Sequence, residues 1–349
     1  MDEYSRILTD RKLPARVRTM ERLSAPLLPV PLQKKRSQEL VITKRYDEIL
    51  HAVHLLRYVT VPDMTRLFFS SAKRYSSTNH AGEILAKLAG GADYVERHYL
   101  YRFPLPHIGM GSSQKVYTLG SRGRTYLQSL GVSVDWYFRP YKVASMTYQH
   151  CQHALTLTRF LVAAQVLCRK HPAWELPKLK TEYELKQEIA QEKAKQEAAR
   201  VLVKANIKDG KAEEEVMVIP DAWLDFFNQH DKKVRWLPIL LEIDRASEQQ
   251  TYFKKHIKAR ILFLTTGGYN KLFGTHKGII AYATTGNHTR LQSMLRWTQE
   301  VLDELNMRKV AARFRFCSLS PAWEQDEGTL FLAPLWYRPY DKKPLPLLS

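Results

Sequence analysis

The chain has 349 residues, and its 54 Lys and Arg against 35 Asp and Glu give a formal net charge of +19 at pH 7. Its content of 44% hydrophobic and 26% charged residues excludes a wholly disordered protein, and its length favours two domains. A surplus of cations of this size indicates a polyanionic partner, nucleic acid above all, because each neutralised phosphate releases condensed counterions.

The cysteines and the apolar segments indicate the compartment. Cys151, Cys168 and Cys317 lie far apart in apolar or mixed surroundings, which is typical of free thiols in a reducing environment. No apolar stretch of signal-peptide length follows the basic N-terminal residues, and no run approaches the roughly 20 apolar residues of a membrane span. We therefore expect a cytoplasmic protein without a membrane partner.

Residues 1–40 are predicted to be a basic, proline-containing arm. They carry four prolines, with nine Lys and Arg against five Asp and Glu, so their net charge is +4. Prolines at these intervals prevent a long helix, and strand alternation is missing. One hypothesis is that this arm holds a relaxase, a recombinase or a replication protein.

The segment 41–131 is predicted to be a winged helix-turn-helix. Thr43 is a plausible N-cap of the first helix, and Pro62 suits the first turn of the second. The remaining elements are a third helix from Ser76 to Leu88, strands Tyr94–Phe103 and Lys115–Leu119, and a helix Ser121–Leu130. In this order the third helix would read duplex DNA, and the loop from Pro104 to Gln114 would be the wing.

Residues expected to contact DNA are cations and small polar groups near the third helix and the hairpin. Such side chains grip phosphates or read base edges. On the helix they are Lys73, Arg74, Ser76, Ser77, Thr78, Asn79, His80 and Lys87, and on the hairpin Arg97, Arg102, His107 and Lys115.

The segment 145–325 is predicted to be an α/β domain, followed by a tail, 326–349. It opens with an amphipathic helix, Thr147–Arg169, and a strand, Trp174–Leu185. A charged helical insertion, 186–211, precedes buried strands Val216–Pro220 and Leu237–Ile243. Beyond it, helices Glu248–Leu264 and Thr289–Leu305 alternate with strands Gly278–Ala283 and Arg313–Leu319, which is the pattern of an α/β sheet.

Carboxylates beside these strands form the candidate metal centre. They are Glu182 or Glu184 together with Asp221, Glu242 and Asp244, of which the last three are the expected metal ligands; Glu242 and Asp244 project to one face of a strand. Clustered carboxylates bind Mg²⁺ or Mn²⁺, which activates water for phosphodiester hydrolysis. His150, Cys151 and His153 lack a second ligand pair at zinc spacing, so a structural role is expected for them.

Pro220-Asp221 followed by Glu242-Ile243-Asp244 resembles the Pro-Asp and Asp/Glu-x-Lys signature of the restriction-endonuclease-like fold. More closely, the chain resembles the replication-relaxation family of plasmids and other mobile elements. The stretches that carry this resemblance are residues 59–69, 115–123, 153–155, 220–221 and 241–245. The resemblance implies DNA binding in replication, relaxation or transfer, without establishing an enzymatic activity.

The chain departs from the nuclease signature at Asp244, which stands where the signature has lysine. Lys254, Lys255 or Lys258 on the next helix would have to replace that lysine. The leading hypothesis is therefore a DNA-binding protein whose nuclease-like domain is a scaffold or a weakened metal site. The alternatives are an active Mg²⁺-dependent DNA endonuclease and an adaptor that recruits another protein.

Overall fold

The structure, a computed structural model, describes residues 40–69, 74–90, 98–105, 114–134, 146–194, 204–209, 212–229, 236–274, 278–319 and 326–348. The arm predicted over residues 1–40 therefore lies almost wholly outside the described residues. Of the predicted DNA contacts, Lys73, Arg97 and His107 also lie outside them.

Three helices open the described chain, as predicted. Helix α1 spans Lys44–Leu56, and the Thr43 hydroxyl accepts a hydrogen bond from the Tyr46 N–H. Helix α2 spans Val61–Phe68 and begins with a capping box, in which the Asp63 carboxylate accepts from the Thr60 N–H at 2.8 Å. Helix α3 spans Arg74–Ala89. Local capping chemistry thus fixes where these helices begin.

An antiparallel hairpin follows α3. Strand β1, Leu100–Pro104, pairs with β2, Lys115–Leu119, and Val59 forms a further bridge with Tyr117. Helix α4, Ser121–Ser129, comes directly after β2. The first strand was predicted from Tyr94, but the described strand begins at Leu100, and the predicted wing loop lies mostly outside the described residues.

A five-stranded mixed sheet confirms the predicted α/β class. Its order is β3 (Trp174–Thr181), β6 (Ala222–Asn228), β7 (Trp236–Asp244), β8 (Ile279–Thr284) and β9 (Phe314–Ser318). The first three strands form an antiparallel meander, and β8 and β9 run parallel to β7.

Helices cover both faces of this sheet. On one face α7, Gln250–Thr265, and α9, His288–Glu304, share a core with Leu240, Ile280 and Phe314. On the other lies α5, Tyr148–Lys170, whose Phe160 ring contacts Phe331, which in turn contacts Phe226. A short helix α8, Gly268–Phe273, and a 3-10 helix, Arg308–Arg313, complete this region.

The region between β3 and β7 corrects three predictions. Strand β6 was not predicted, because a central strand that is covered on both faces lacks the alternation of apolar and polar residues that marks a half-exposed strand. Instead of a buried strand at Val216–Pro220, β5 (Ala212–Met217) forms a separate hairpin with β4 (Lys204–Asp209). Within the predicted helical insertion 186–211, the described residues are helical up to Ala194 and form strand β4 from Lys204 to Asp209.

Two further boundaries differ from prediction. Strand β3 ends at Thr181 rather than Leu185, because Thr181 caps helix α6, Glu182–Ala194. The Glu184 carboxylate accepts from the Thr181 N–H at 2.8 Å. Glu182 and Glu184 therefore lie in the first turn of α6, and Glu182, the residue directly after β3, donates its N–H to the Asp221 carbonyl at 2.9 Å.

The segment predicted as a tail, 326–349, packs into the core where the structure describes it, over residues 326–348. It contains helix α10, Glu327–Leu332, and a bridge between Tyr337 and Phe316 of β9. Trp336 is fully buried, and its indole N–H donates to the Leu330 carbonyl at 2.8 Å. Burial of a large aromatic side chain holds the segment in place.

The two predicted domains are in close contact. Residues Ile42–Ser349 form one compact unit, in which α2 packs against α5. The Thr158 hydroxyl of α5 donates to the Tyr58 carbonyl at 2.7 Å. Division of the unit into segments 41–131 and 145–325 stays a prediction. No helix among the described residues is long and apolar enough to cross a membrane.

Candidate functional site

Helix α3 has one buried face and one polar face open to solvent. Ala81, Leu85 and Leu88 are buried, and α3 packs mainly against α2 and β1. The exposed residues at helical spacing are Asn79, His80, Glu83 and Lys87. This exposed face is the surface that a helix entering a groove of DNA requires.

The predicted DNA contacts occupy several environments. Arg74 and Ser76 belong to the first turn of α3, and Thr78 is partly exposed. Ser77 is only 4% exposed, so it belongs to the interior and not to the interface. The exposed residues are Asn79, His80, Lys87, Arg102 and Lys115.

Two of these exposed side chains have aromatic neighbours. The His80 ring packs edge-on against Phe69, with 5.2 Å between the ring centroids. Arg102 hydrogen bonds to Tyr117, its partner across the hairpin. Both are therefore held in place before any ligand binds.

Glu242, the first carboxylate of strand β7, is paired with Arg260 of α7. The guanidinium of Arg260 donates to Glu242 Oε1 through both Nε and Nη2, and the Nε distance is 3.1 Å. Burial raises the pKa of Glu242, and the neighbouring Arg260 opposes that rise. The Glu242 carboxylate is accordingly held in an internal ion pair with Arg260.

Asp244, the second carboxylate, is paired with Arg290 of α9 in a two-pronged contact. The Arg290 Nε donates to Oδ2 at 3.0 Å and Nη2 donates to Oδ1 at 2.7 Å. Oδ2 also accepts from the Thr284 hydroxyl at 2.6 Å and from the Ala246 N–H at 3.0 Å. Asp244 thereby joins the carboxyl ends of β7 and β8 to α9.

Asp221 lies between the sheet and helix α5. Its Oδ2 accepts from the Ile243 N–H at 2.7 Å, and its Oδ1 is 3.3 Å from Nε2 of His153. Burial alone would lower the pKa of His153, but the hydrogen bond and the charge of Asp221 raise it above its ordinary value. His153, expected to be structural, is thus a partner of a predicted metal ligand.

The predicted helper lysines reach other carboxylates. Lys254 pairs with Glu300 at 2.6 Å and Lys258 with Glu304 at 3.3 Å, both on α9, while Lys255 is half-buried. The cations that reach β7 are arginines, which the sequence analysis did not single out. Arg260 could have been recognised from the sequence as a buried cation, because it falls on the apolar stripe that Phe253 and Ile257 define on α7.

This donor set does not fit a divalent cation. The described residues contain no group of three or more His, Cys, Asp or Glu side chains that could hold a metal ion. Arginines already engage Oε1 of Glu242 and both oxygens of Asp244, and Glu182 pairs with Lys186 at 2.5 Å. A cation would have to displace these guanidinium groups from buried positions.

We therefore expect millimolar Mn²⁺ to leave the melting temperature unchanged, because a ligand stabilises a fold only where the folded state binds it. Differential scanning fluorimetry of the wild type and of Asp221→Asn, with and without Mn²⁺, measures this. A metal-dependent rise in the wild type that Asp221→Asn abolishes would contradict the expectation.

The sequence profile of the replication-relaxation family matches residues 50–279, from within α1 to the first residue of β8. This match spans about two thirds of the chain and includes both the α3 surface and the β7 carboxylates. The chain therefore belongs to the replication-relaxation family. Neither a curated protein nor a solved structure shows a detectable match to it.

Proposed function

We propose that this chain binds duplex DNA through residues 42–131 and acts in the replication, relaxation or transfer of a plasmid or another mobile element. In this proposal residues 42–131 are a winged helix-turn-helix, α3 is the recognition helix, and β1 and β2 are the strands of the wing. Family membership and the order of three helices, a hairpin and a closing helix support it.

The observation that carries the proposal is the exposed polar face of α3. Helix α2 and strand β1 cover the opposite face of α3, and α2 is itself fixed to the rest of the unit. The Arg66 guanidinium of α2 donates to Glu327 of α10 at 2.7 Å, and Lys170 of α5 reaches the same carboxylate at 2.8 Å. The recognition surface is thus presented from a rigid support.

The α/β portion has the role of a scaffold in this proposal. Its order of α5, the meander β3-β6-β7, α7 and β8 supports a restriction-endonuclease-like architecture. In place of a metal centre, Arg260 and Arg290 bind the strand carboxylates, which favours a structural use of this edge over hydrolysis. Recruitment of another protein by the N-terminal arm stays a prediction.

The test is binding of fluorescent duplex DNA by the full chain over a range of salt concentrations. With about five phosphate contacts, the slope of log K against log salt should be about −4 to −5. Lys87→Ala should weaken binding to every sequence alike and reduce that slope by about 1. Asn79→Ala should change the ranking of sequences by about 1–3 kcal/mol, because amide side chains read base edges.

The matched control is Lys309→Ala, which removes an equally exposed lysine from the 3-10 helix, far along the chain from α3. Its binding curve should overlay that of the wild type. If Lys87→Ala and Lys309→Ala weaken DNA binding equally, or if the affinity for DNA does not depend on salt, the proposal is contradicted.

A further inference from the structure

An open cleft of about 260 Å³ lies where the carboxyl ends of β7 and β8 meet the first turns of α5. Its lining includes Tyr148, Gln152, His153, Arg245, Ser247 and Thr285. Among the described residues, the lining contains no carboxylate, and Arg245 is the one permanent cation there. The carboxyl edge of a sheet is a frequent place for ligands in α/β proteins.

Arg245 differs from the two arginines that bind the β7 carboxylates. It is exposed, and it forms no hydrogen bond or ion pair within the part of the chain that the structure describes. It stands in a turn where Ala246 has a positive φ of 59° and donates its N–H to Asp244. Because Arg290 holds Asp244, the turn that carries Arg245 is rigid.

The other groups of the cleft offer hydrogen-bond donors. The Gln152 amide donates to the Tyr148 hydroxyl at 3.0 Å, which leaves the Tyr148 proton free for a ligand. His153 also lines the cleft: its Nε2 contacts Asp221, and its buried Nδ1 has no hydrogen-bond partner within the part of the chain that the structure describes. The amino end of the 23-residue helix α5 adds positive potential at the same place.

Two carboxylates next to α5 already have partners of their own. Asp221 accepts from the Ile243 N–H and contacts His153, and Glu182 is paired with Lys186. The cation of Arg245 is therefore not balanced within the cleft. An anionic oxygen group that accepts several hydrogen bonds matches this arrangement.

We propose that this cleft binds a phosphate group, with Arg245 as its anchor. The DNA backbone is the favoured source of this phosphate group, and that choice rests on the proposed function. Cys151 and Leu155 of α5 pack against Phe103 and Val116 of the β1–β2 hairpin. The cleft lies on an adjacent side of the same helix, so roughly one helix diameter, about 10 Å, separates it from the hairpin. This short separation brings Arg245 within reach of a duplex that extends beyond the winged helix.

The experiment compares two duplexes and one small anion. A short duplex of about one and a half turns covers the winged helix alone, and a longer one of about three turns reaches the cleft. Arg245→Gln should bind the short duplex as the wild type does, bind the longer one about 3–10-fold more weakly, and reduce the salt slope by about 1 on the longer duplex only. Arg245→Lys should keep the slope.

Arg296→Gln is the matched control, since Arg296 of α9 is exposed and its nearest ion-pair contact, Glu300, is 3.8 Å away. In a second arm, inorganic phosphate is added during thermal melting of the wild type and of Arg245→Gln. Phosphate could raise the melting temperature of the wild type and not that of Arg245→Gln, while the substitution changes binding to neither duplex. That result assigns the cleft to a free phosphate compound. If Arg245→Gln matches the wild type in both arms, the proposal is overturned, and this outcome is separate from loss of DNA binding through α3.

Discussion

Replacing Arg290 with alanine is expected to lower the free energy of unfolding by about 3–5 kcal/mol. The Arg290 side chain is 11% exposed and its partner Asp244 is 5% exposed, so the substitution leaves a carboxylate buried without a countercharge. Arg290 also donates to the Glu248 carbonyl at 2.9 Å, so the turn after β7 loses a second anchor. Chemical denaturation monitored by tryptophan fluorescence measures the loss.

Two further variants separate the lost charge pair from a general effect of shortening an arginine. Arg296→Ala, on the solvent side of the same helix, should change the free energy of unfolding by about 0.5 kcal/mol or less. The double variant Arg290→Met with Asp244→Leu should recover much of the loss, because it leaves no unpaired buried charge. Equal losses for Arg290→Ala and Arg296→Ala would show that Asp244 does not depend on Arg290.

Replacing Glu327 with glutamine is expected to cost about 2–3 kcal/mol at neutral pH, the range for hydrogen bonds to charged groups. Glu327 is 3% exposed, and its carboxylate accepts hydrogen bonds from Arg66 of α2 and Lys170 of α5. Although burial raises its pKa, these two hydrogen bonds hold the pKa of Glu327 below its ordinary value. The residue therefore joins α2, against which α3 packs, and α5 to the C-terminal segment.

The pH dependence of this contribution has a definite sign. A carboxyl group with a lowered pKa in the folded state stabilises the fold above its unfolded pKa, near 4.5, and the stabilisation is lost as the pH falls through the folded pKa. The difference in stability between the wild type and Glu327→Gln should thus be full at pH 7 and shrink below about pH 4.5. The exposed Glu304→Gln is the control. A difference that grows on acidification would contradict the assignment.

The sequence alone determined the local elements. Thr43 caps α1 as predicted, Pro62 lies in the first turn of α2 as predicted, and the stripe on α5 placed that helix within one residue of its observed start. These signals act over three or four residues, through hydrogen bonds between a side chain and the nearest backbone N–H groups. These signals can therefore be recognised in the sequence without knowledge of the rest of the chain.

The tertiary structure decided what the candidate residues do. Glu242 and Asp244 share one face of β7 as predicted, yet their partners, Arg260 and Arg290, come from α7 and α9, 18 and 46 residues further along the chain. The same holds for the segment after residue 325, where Trp336 gains its burial only once β9 and α10 are in place. Charge pairing and aromatic burial depend on the positions of distant side chains, and no local pattern of residues encodes those positions.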